Sequence, residues 1–258
     1  MTKIMRTTAA YLFLFVCLAM PAEALRVTQK MQTEIGIFDA CEQTISYGFY
    51  GDKDYDFKTS IRTTGTFGTL YPFRAEYHSV GTYNKGRFMP QNYFQEAFSR
   101  FRHRTKEIVY EKGIPQRRIS TKNDKKRIDK IITDAQYGDH IDLLSTFAML
   151  AEQFIREDSC NFEHYSFNGK RYTVSKVKDL GKERIKTPLF TGRAHKCEYY
   201  IELTEDATAS FLLDESAPIY FWVAKDPKTK APFIARVKVD DTPFGELEAV
   251  TTELEVKK

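Results

Sequence analysis

The chain has 258 residues, with 39 Lys and Arg against 35 Asp and Glu, and it carries fifteen Tyr, twenty Phe and one Trp. A net charge of +4 over that length does not supply the basic field that genome-scale nucleic-acid binding needs, so that class of partner is excluded first. After the first two dozen residues no apolar run is long enough to cross a bilayer, which excludes a helical integral membrane protein.

The chain opens MTKIMRTTAAYLFLFVCLAMPAEALR. Lys3 and Arg6 give a basic start, Ala9 to Met20 is an apolar run too short to span a membrane comfortably, and Ala22-Glu23-Ala24 is a small-x-small cleavage site. The pattern predicts a secretory leader over residues 1–24, cut after Ala24, in preference to an uncleaved anchor. Val16 precedes Cys17 where a lipoprotein signal needs a small residue, so lipidation is not expected. Residues 25–258 follow as a single β-rich domain outside the cytoplasm, with no Pro/Ser/Gly linker to divide it. Once Lys3, Arg6 and Glu23 are gone, 37 basic and 34 acidic side chains remain.

Period-two alternation then dominates. Ile45, Tyr47 and Phe49 share one face of an extended segment, as do Tyr55, Phe57, Thr59 and Ile61, and Phe73, Ala75 and Tyr77. Asp56, Lys58, Ser60 and Arg62 share the opposite face, which is the mark of an antiparallel strand with one wet side. Residues 100–130 are set apart by charge: twelve Lys and Arg face only Glu107, Glu111, Asp124 and Asp129. A solvated strand and loop is the plainer reading of this segment, and attraction to anionic lipid headgroups is the functional one.

From Asp139 the period changes. In DHIDLLSTFAMLAEQFIRED, Leu143, Phe147, Leu150 and Phe154 recur at helical spacing, and Leu144, Ala148, Ala151 and Ile155 widen the stripe. This predicts one helix near 140–156, capped by Asp139 or Asp142 and covered by the concave face of a curved sheet. Strands resume with an Asn168-Gly169 hairpin signal between HYSF and KRYTV. The row His195, Cys197, Tyr199, Ile201 and Leu203 follows. KDPKTKAP then separates IYFWV from the row Phe233, Ala235, Val237 and Val239.

Cys41, Cys160 and Cys197 survive cleavage, and an oxidising destination makes a pair among them the default. Cys160 and Cys197 flank the hairpin, where a sheet can bring them side by side. A zinc site built from Cys160, His164, His195 and Cys197 is the rival, although its x3 and x1 spacings are not those of a knuckle, and two unpaired core thiols are a third reading. Cys41 reads as a free, buried thiol. No Gly-x-Ser-x-Gly elbow, His-Glu-x-x-His or phosphate-cradling glycine loop occurs, so no catalytic residue and no cofactor is expected.

The order of several runs carries a resemblance. YDFKTSIRTTGTFGTLYP, SVGTYNKGRFMPQNY, HIDLLSTF, CNFEHYSFNGKRYTV, LFTGRAHKCEYYIEL and IYFWVAKDPKTKAPFIARVKVDDTPFGELEAVTTEL succeed one another. Within them a Gly-Lys-Arg follows a Phe-x turn, then come a Gly-x-Ala-x-x-Cys strand, a strand bearing Trp222, and Pro and Ala-Arg-Val. In this order the chain resembles the exported bacterial family catalogued as domain of unknown function 3108, from about Ile45 to the C-terminus. The resemblance implies a periplasmic protein with a strongly curved antiparallel sheet, similar to the open barrels of the periplasmic lipoprotein carriers, and it implies pairing of Cys160 with Cys197. It supplies no activity and no catalytic residues, and the long basic connection QRRISTKNDKKRIDK departs from the commoner pattern.

The expectation is therefore an all-β, mainly antiparallel fold, a curved sheet or open β-barrel with one inner helix, that is not an enzyme. It is expected to bind a lipid or acylated ligand in an apolar concavity lined by Phe147, Leu150 and Phe154, for envelope maintenance. The rivals are that these three are simply core, that the sheet edges dock an envelope protein, or that a polar cleft acts on peptidoglycan or polysaccharide.

Overall fold

The computed structural model describes residues 24–51, 54–84, 86–131, 140–203, 218–242 and 245–258. The leader up to Glu23, the alternative cap Asp139 and the side chain of Leu203 lie outside the described residues. The first eight strands are β1 (Leu25–Ile35), β2 (Phe38–Tyr50), β3 (Asp54–Thr63), β4 (Phe73–Asn84), β5 (Arg87–Ser99), β6 (Arg102–Glu111), β7 (Ile114–Lys122) and β8 (Lys125–Lys130). Helix α1 (Gly65–Leu70) interrupts them after β3, and helix α2 (Leu143–Glu157) follows β8. The remaining strands are β9 (Phe162–Phe167), β10 (Tyr172–Lys186), β11 (Thr191–Leu203), β12 (Ile219–Lys225), β13 (Pro232–Thr242) and β14 (Gly245–Lys257).

All fourteen strands form one antiparallel sheet in the order β8-β7-β6-β5-β4-β3-β2-β1-β14-β13-β12-β11-β10-β9. Every sequential pair of strands is hydrogen-bonded except one. β1 pairs with β14, Gln29 opposite Leu254, and so unites the two ends of the meander. The omitted pairing is β8 with β9, and α2 is the segment between them. The sheet is thus an open barrel whose missing seam is the place where the chain turns inward to lay down the helix.

Bulges bend the sheet around that helix. The register shifts at Lys30/Met31, Val80/Gly81, Val109/Tyr110 and Trp222/Val223, and each extra residue increases the local twist. At Gly81 a Cβ would come within 2.4 Å of the Met89 carbonyl oxygen, so only glycine admits the approach of β4 to β5 beside Pro90.

Inward rows from both flanks meet on α2. Tyr47, Phe49, Tyr55, Phe57, Trp222 and Phe233 pack with Leu144 and Ala148, and a second cluster gathers Phe154, Val177, Tyr199, Phe221 and Val223. The helix starts at Asp142, whose Oδ1 accepts from the backbone N–H groups of Leu144 and Ser145, both at 3.0 Å. These two bonds satisfy donors that a helix start otherwise leaves free.

Several expectations need correction. Leu143 and Ile155 fit the apolar stripe in sequence, yet they are 37% and 42% exposed; the buried arc is narrower, centred on Leu144, Ala148 and Phe154. Phe73, at the start of β4, is exposed at the rim. The basic connection 116–130 is not a loop: it forms most of β7 and β8, joined by a tight turn at Asn123 and Asp124, both with positive φ. Charge masked the strand signal there, because neither face of that hairpin is apolar. Cys41 is free but only half-buried.

Two chains of side-chain hydrogen bonds tie the first turns of α2 to opposite parts of the sheet. Ser145 Oγ donates to Asp142 Oδ2 at 2.6 Å, Ser79 Oγ donates to the same oxygen at 2.9 Å, and Tyr55 OH lies 2.7 Å from Ser145 Oγ, reaching β3 and β4. Thr146 Oγ1 contacts Ser166 Oγ at 2.9 Å, which continues through Ser175 to Tyr199 on β11. Burial pushes the Asp142 carboxyl pKa up, and the bonds from Ser145 and Ser79 oppose that shift. Asp142→Ala should therefore cost about 2–4 kcal/mol, the sum of a lost cap and stranded hydroxyl donors, in urea unfolding. Asp142→Asn, which keeps an acceptor for the two amides, should cost less than half as much; equal losses would contradict this role for the carboxylate.

Candidate functional site

The sheet does not close completely on α2: a cavity of about 250 Å³ lies between the helix and the concave faces of β1–β3, β12 and β13. From the helix its wall takes Phe147, Leu150 and Phe154, the three residues expected to line a concavity. From the sheet it takes Ile45, Phe57, Phe221 and Val237 among others. Ile45, Phe147, Leu150 and Val237 keep partial exposure, so the cavity communicates with solvent along the open side of the helix.

The longest polar side chains of this wall make hydrogen bonds within it. Gln29 Nε2 donates to the Ile234 carbonyl at 3.1 Å and Gln29 Oε1 accepts from the Ile234 N–H at 3.0 Å, so one side chain replaces a strand partner at the β12/β13 bulge. Gln43 Nε2 donates to Thr59 Oγ1 at 3.2 Å. Tyr47 OH donates to the Pro232 carbonyl. What remains facing the space is mostly carbon, and such a wall favours apolar groups and offers water few partners. The ring of Phe147 stands 6.2 Å from that of Phe57 and 6.0 Å from that of Tyr199, so it bridges β3 and β11 at the boundary of the space.

The floor near Phe154 is covalently fixed. Cys160 and Cys197 form a disulfide, with 37 positions of separation and both residues fully buried. Closing a loop of that size contributes about 3–4 kcal/mol in the chain-entropy model. The bridge fastens the chain just after α2 to β11, and Cys160 N–H donates to Asp179 Oδ2 at 3.2 Å alongside it. With both sulfurs bonded to each other, neither is a thiolate, and the alternative zinc set is not assembled. His195 Nδ1 bonds Asp179 Oδ2 at 3.0 Å, whereas His164 Nδ1 meets the Tyr165 carbonyl at 2.7 Å. Among the described residues no group of three His, Cys, Asp or Glu could hold a metal ion.

The buried His195–Asp179 pair resembles an acid–base pair, but among the described residues no hydroxyl or thiol is hydrogen-bonded to the His195 ring. The second ring nitrogen lies 3.5 Å from Asp158 Oδ1 and makes no hydrogen bond. Asp158 ends α2 with φ 54°, in the left-handed region, where Asp and Asn are tolerated, and its N–H caps the Phe154 carbonyl. Its carboxylate bonds Lys182 Nζ at 2.8 Å and Lys225 Nζ at 2.7 Å. The sequence does not announce this cluster, because nothing in the spacing of 158, 179, 182, 195 and 225 shows that three strands and a helix end converge.

The two lysines hold the Asp158 carboxyl down at about 2 from its ordinary 3.8. A depressed folded-state pKa means stability that is present above the unfolded value and lost as pH falls through the folded one. Asp158→Asn, which keeps the left-handed conformation, should cost about 0.5–1 kcal/mol at neutral pH because the group is partly exposed. In urea unfolding at several pH values the difference from wild type should shrink between pH 4 and 2. A difference independent of pH would contradict the ion-pair assignment.

No helix among the described residues is long and apolar enough to cross a membrane. Residues 30–252 match the family model described as "Protein of unknown function (DUF3108)". No curated protein matches the chain. Among solved structures it is similar to a beta-barrel-like protein of domain of unknown function DUF1849 from Brucella abortus, at 8% identity and a TM-score of 0.47, covering 93% of this chain and 100% of that one. The family model spans most of the open barrel described above, from β1 into β14, and on that match the chain belongs to the DUF3108 family.

Proposed function

We propose that this is a non-enzymatic periplasmic protein, exported through a leader cut after Ala24, that holds a lipid or an acylated ligand in the cavity beneath α2 for envelope maintenance. The observation that carries the reading is the cavity wall: it is mostly apolar carbon, and Gln29, Gln43 and Tyr47 direct hydrogen bonds into the wall itself. A ligand there must be recognised by shape and burial, which suits a slender hydrocarbon chain and not a sugar or a peptide backbone. At about 250 Å³ the space is small for a drug-sized ligand and of the order needed for part of one acyl chain. The buried cystine supports the address, since such bridges persist in oxidising compartments.

A reading in which the sheet edges dock another envelope protein is less favoured at β8. Its edge bears Lys125, Lys126, Arg127 and Lys130, the type of charge that discourages strand addition. An enzymatic reading would need a nucleophile or a paired carboxylate facing the cavity, and the wall is instead aliphatic and aromatic.

Native mass spectrometry of gently purified protein should show a bound species of lipid mass. Leu150→Trp, which fills the space from the half-exposed side of α2, should release that species while leaving the thermal midpoint within a few degrees of wild type. Protein that is ligand-free in both forms, or a ligand retained in Leu150→Trp, would overturn the reading.

A further inference from the structure

The concave face changes character at the β8 end of the sheet, which α2 does not cover. A cleft of about 690 Å³ lies there, bounded by β5–β8 and by the β9–β10 turn, and eight of its lining residues are Lys or Arg. The strand register sets them in rows. Arg104 stands opposite Lys122 and Lys122 opposite Lys125; Lys106 is opposite Ser120 and Ser120 opposite Arg127. Like charges directly opposite on one face destabilise a sheet, so three cations in one row call for a compensating anion. Asp129 does not supply it, because its two carboxylate oxygens are bonded to Arg118 and Arg127. Among the described residues no carboxylate pairs with Arg104, Lys106, Lys122 or Lys125.

The floor of the cleft is built rather than merely wet. Arg118 is 7% exposed, and its Nε, buried in the cleft wall, has no hydrogen-bond partner. Beside it, Lys106 Nζ lies 5.1 Å over the Tyr93 ring and reaches only the Asn168 carbonyl, at 3.5 Å. Burial and the Arg118 charge lower the Lys106 pKa to about 8, the shift expected of a cation lacking a counter-charge. Gly169, with φ 89°, presses the β9–β10 turn onto this floor; a Cβ there would stand 3.0 Å from Arg118 Cδ and 3.2 Å from Ile108 Cδ1.

We propose that the cleft between β6–β8 and the β9–β10 turn is a binding site for a phosphate-bearing ligand, with Arg118 and Lys106 as its floor and Arg104, Lys122 and Lys125 as its rim. A guanidinium with a free donor beside an ammonium suits a tetrahedral dianion, and the rim accommodates further charge on a diphosphate or a phosphorylated headgroup. The site is separate from the apolar cavity and does not depend on what fills it.

The test uses the full chain at constant ionic strength. Isothermal titration with sodium pyrophosphate should give saturable binding, weakened about tenfold or more in K106Q and in K122Q/K125Q, as loss of charge-assisted hydrogen bonds requires. Lys122 and Lys125 are exposed, so their double variant keeps the test decisive even if K106Q unfolds. Phosphatidylcholine vesicles containing phosphatidic acid distinguish the two sources of the phosphate. Co-sedimentation lost in the same variants assigns a lipid headgroup, and pyrophosphate binding without co-sedimentation assigns a free phosphate compound. Failure of both probes to bind, or variants that bind either as wild type does, overturns the proposal. L150W should bind pyrophosphate normally, so failure of the cavity reading remains distinguishable from failure here.

Discussion

A carboxylate with no water to face organises this molecule. Asp142 caps the start of α2 and receives the hydroxyls of Ser145 and Ser79, while the next residue of the helix, Thr146, extends a second chain of hydroxyls toward β9–β11. A buried charge of this kind is tolerated only when every acceptor position is used. The bonds that use them come from β4 and from the helix's own first turn, with β3 reached through Tyr55, so satisfying the charge fixes the helix in position and depth at once. Because the sheet is open at β8 and β9, the helix is also what holds the two flanks at a defined separation.

The rest follows from that fixed position. The helix is anchored by its polar start and stapled just past its end by the Cys160–Cys197 bridge, so its middle spans the concave face without being drawn fully onto it. Phe147 and Leu150 therefore border a space instead of closing it. Where the helix does not reach, the same concave face carries Lys and Arg in place of Phe and Tyr. The interior is thus divided into an apolar portion under α2 and a cationic portion at the sheet's edge, both produced by one short segment inserted into the meander.

Much of this was legible in the sequence, and the reasons for what was not are physical. Rows such as Tyr55, Phe57, Thr59 and Ile61 announce a strand because burial on one face leaves a period of two, and the antiparallel open-barrel class follows from many such rows. The switch to helical period at Leu143 is equally plain, as is the Asn168-Gly169 turn. The hairpin β7–β8 reads as a basic connection in sequence because its concave face is cationic, so no alternation of hydrophobicity marks it. Leu143 and Ile155 fit the helical stripe in sequence but project past the sheet's cover. The chain Tyr55–Ser145–Ser79–Asp142 spans separations of 63 to 90 residues, and no local pattern encodes such a contact. The cluster around Asp158 and the buried Arg118, whose Nε lacks a partner, were hidden for the same reason.

Amide hydrogen exchange at Leu144 and Ser145, whose N–H groups donate to Asp142 Oδ1, tests this account most directly. If the buried cap organises the fold, both amides exchange only through global unfolding, with the same free energy as the amides of the β1–β14 ladder that joins the chain ends. Exchange of the two amides through a local opening several kcal/mol cheaper than that ladder would mean that the helix is a passenger in a self-sufficient sheet, and would contradict the account.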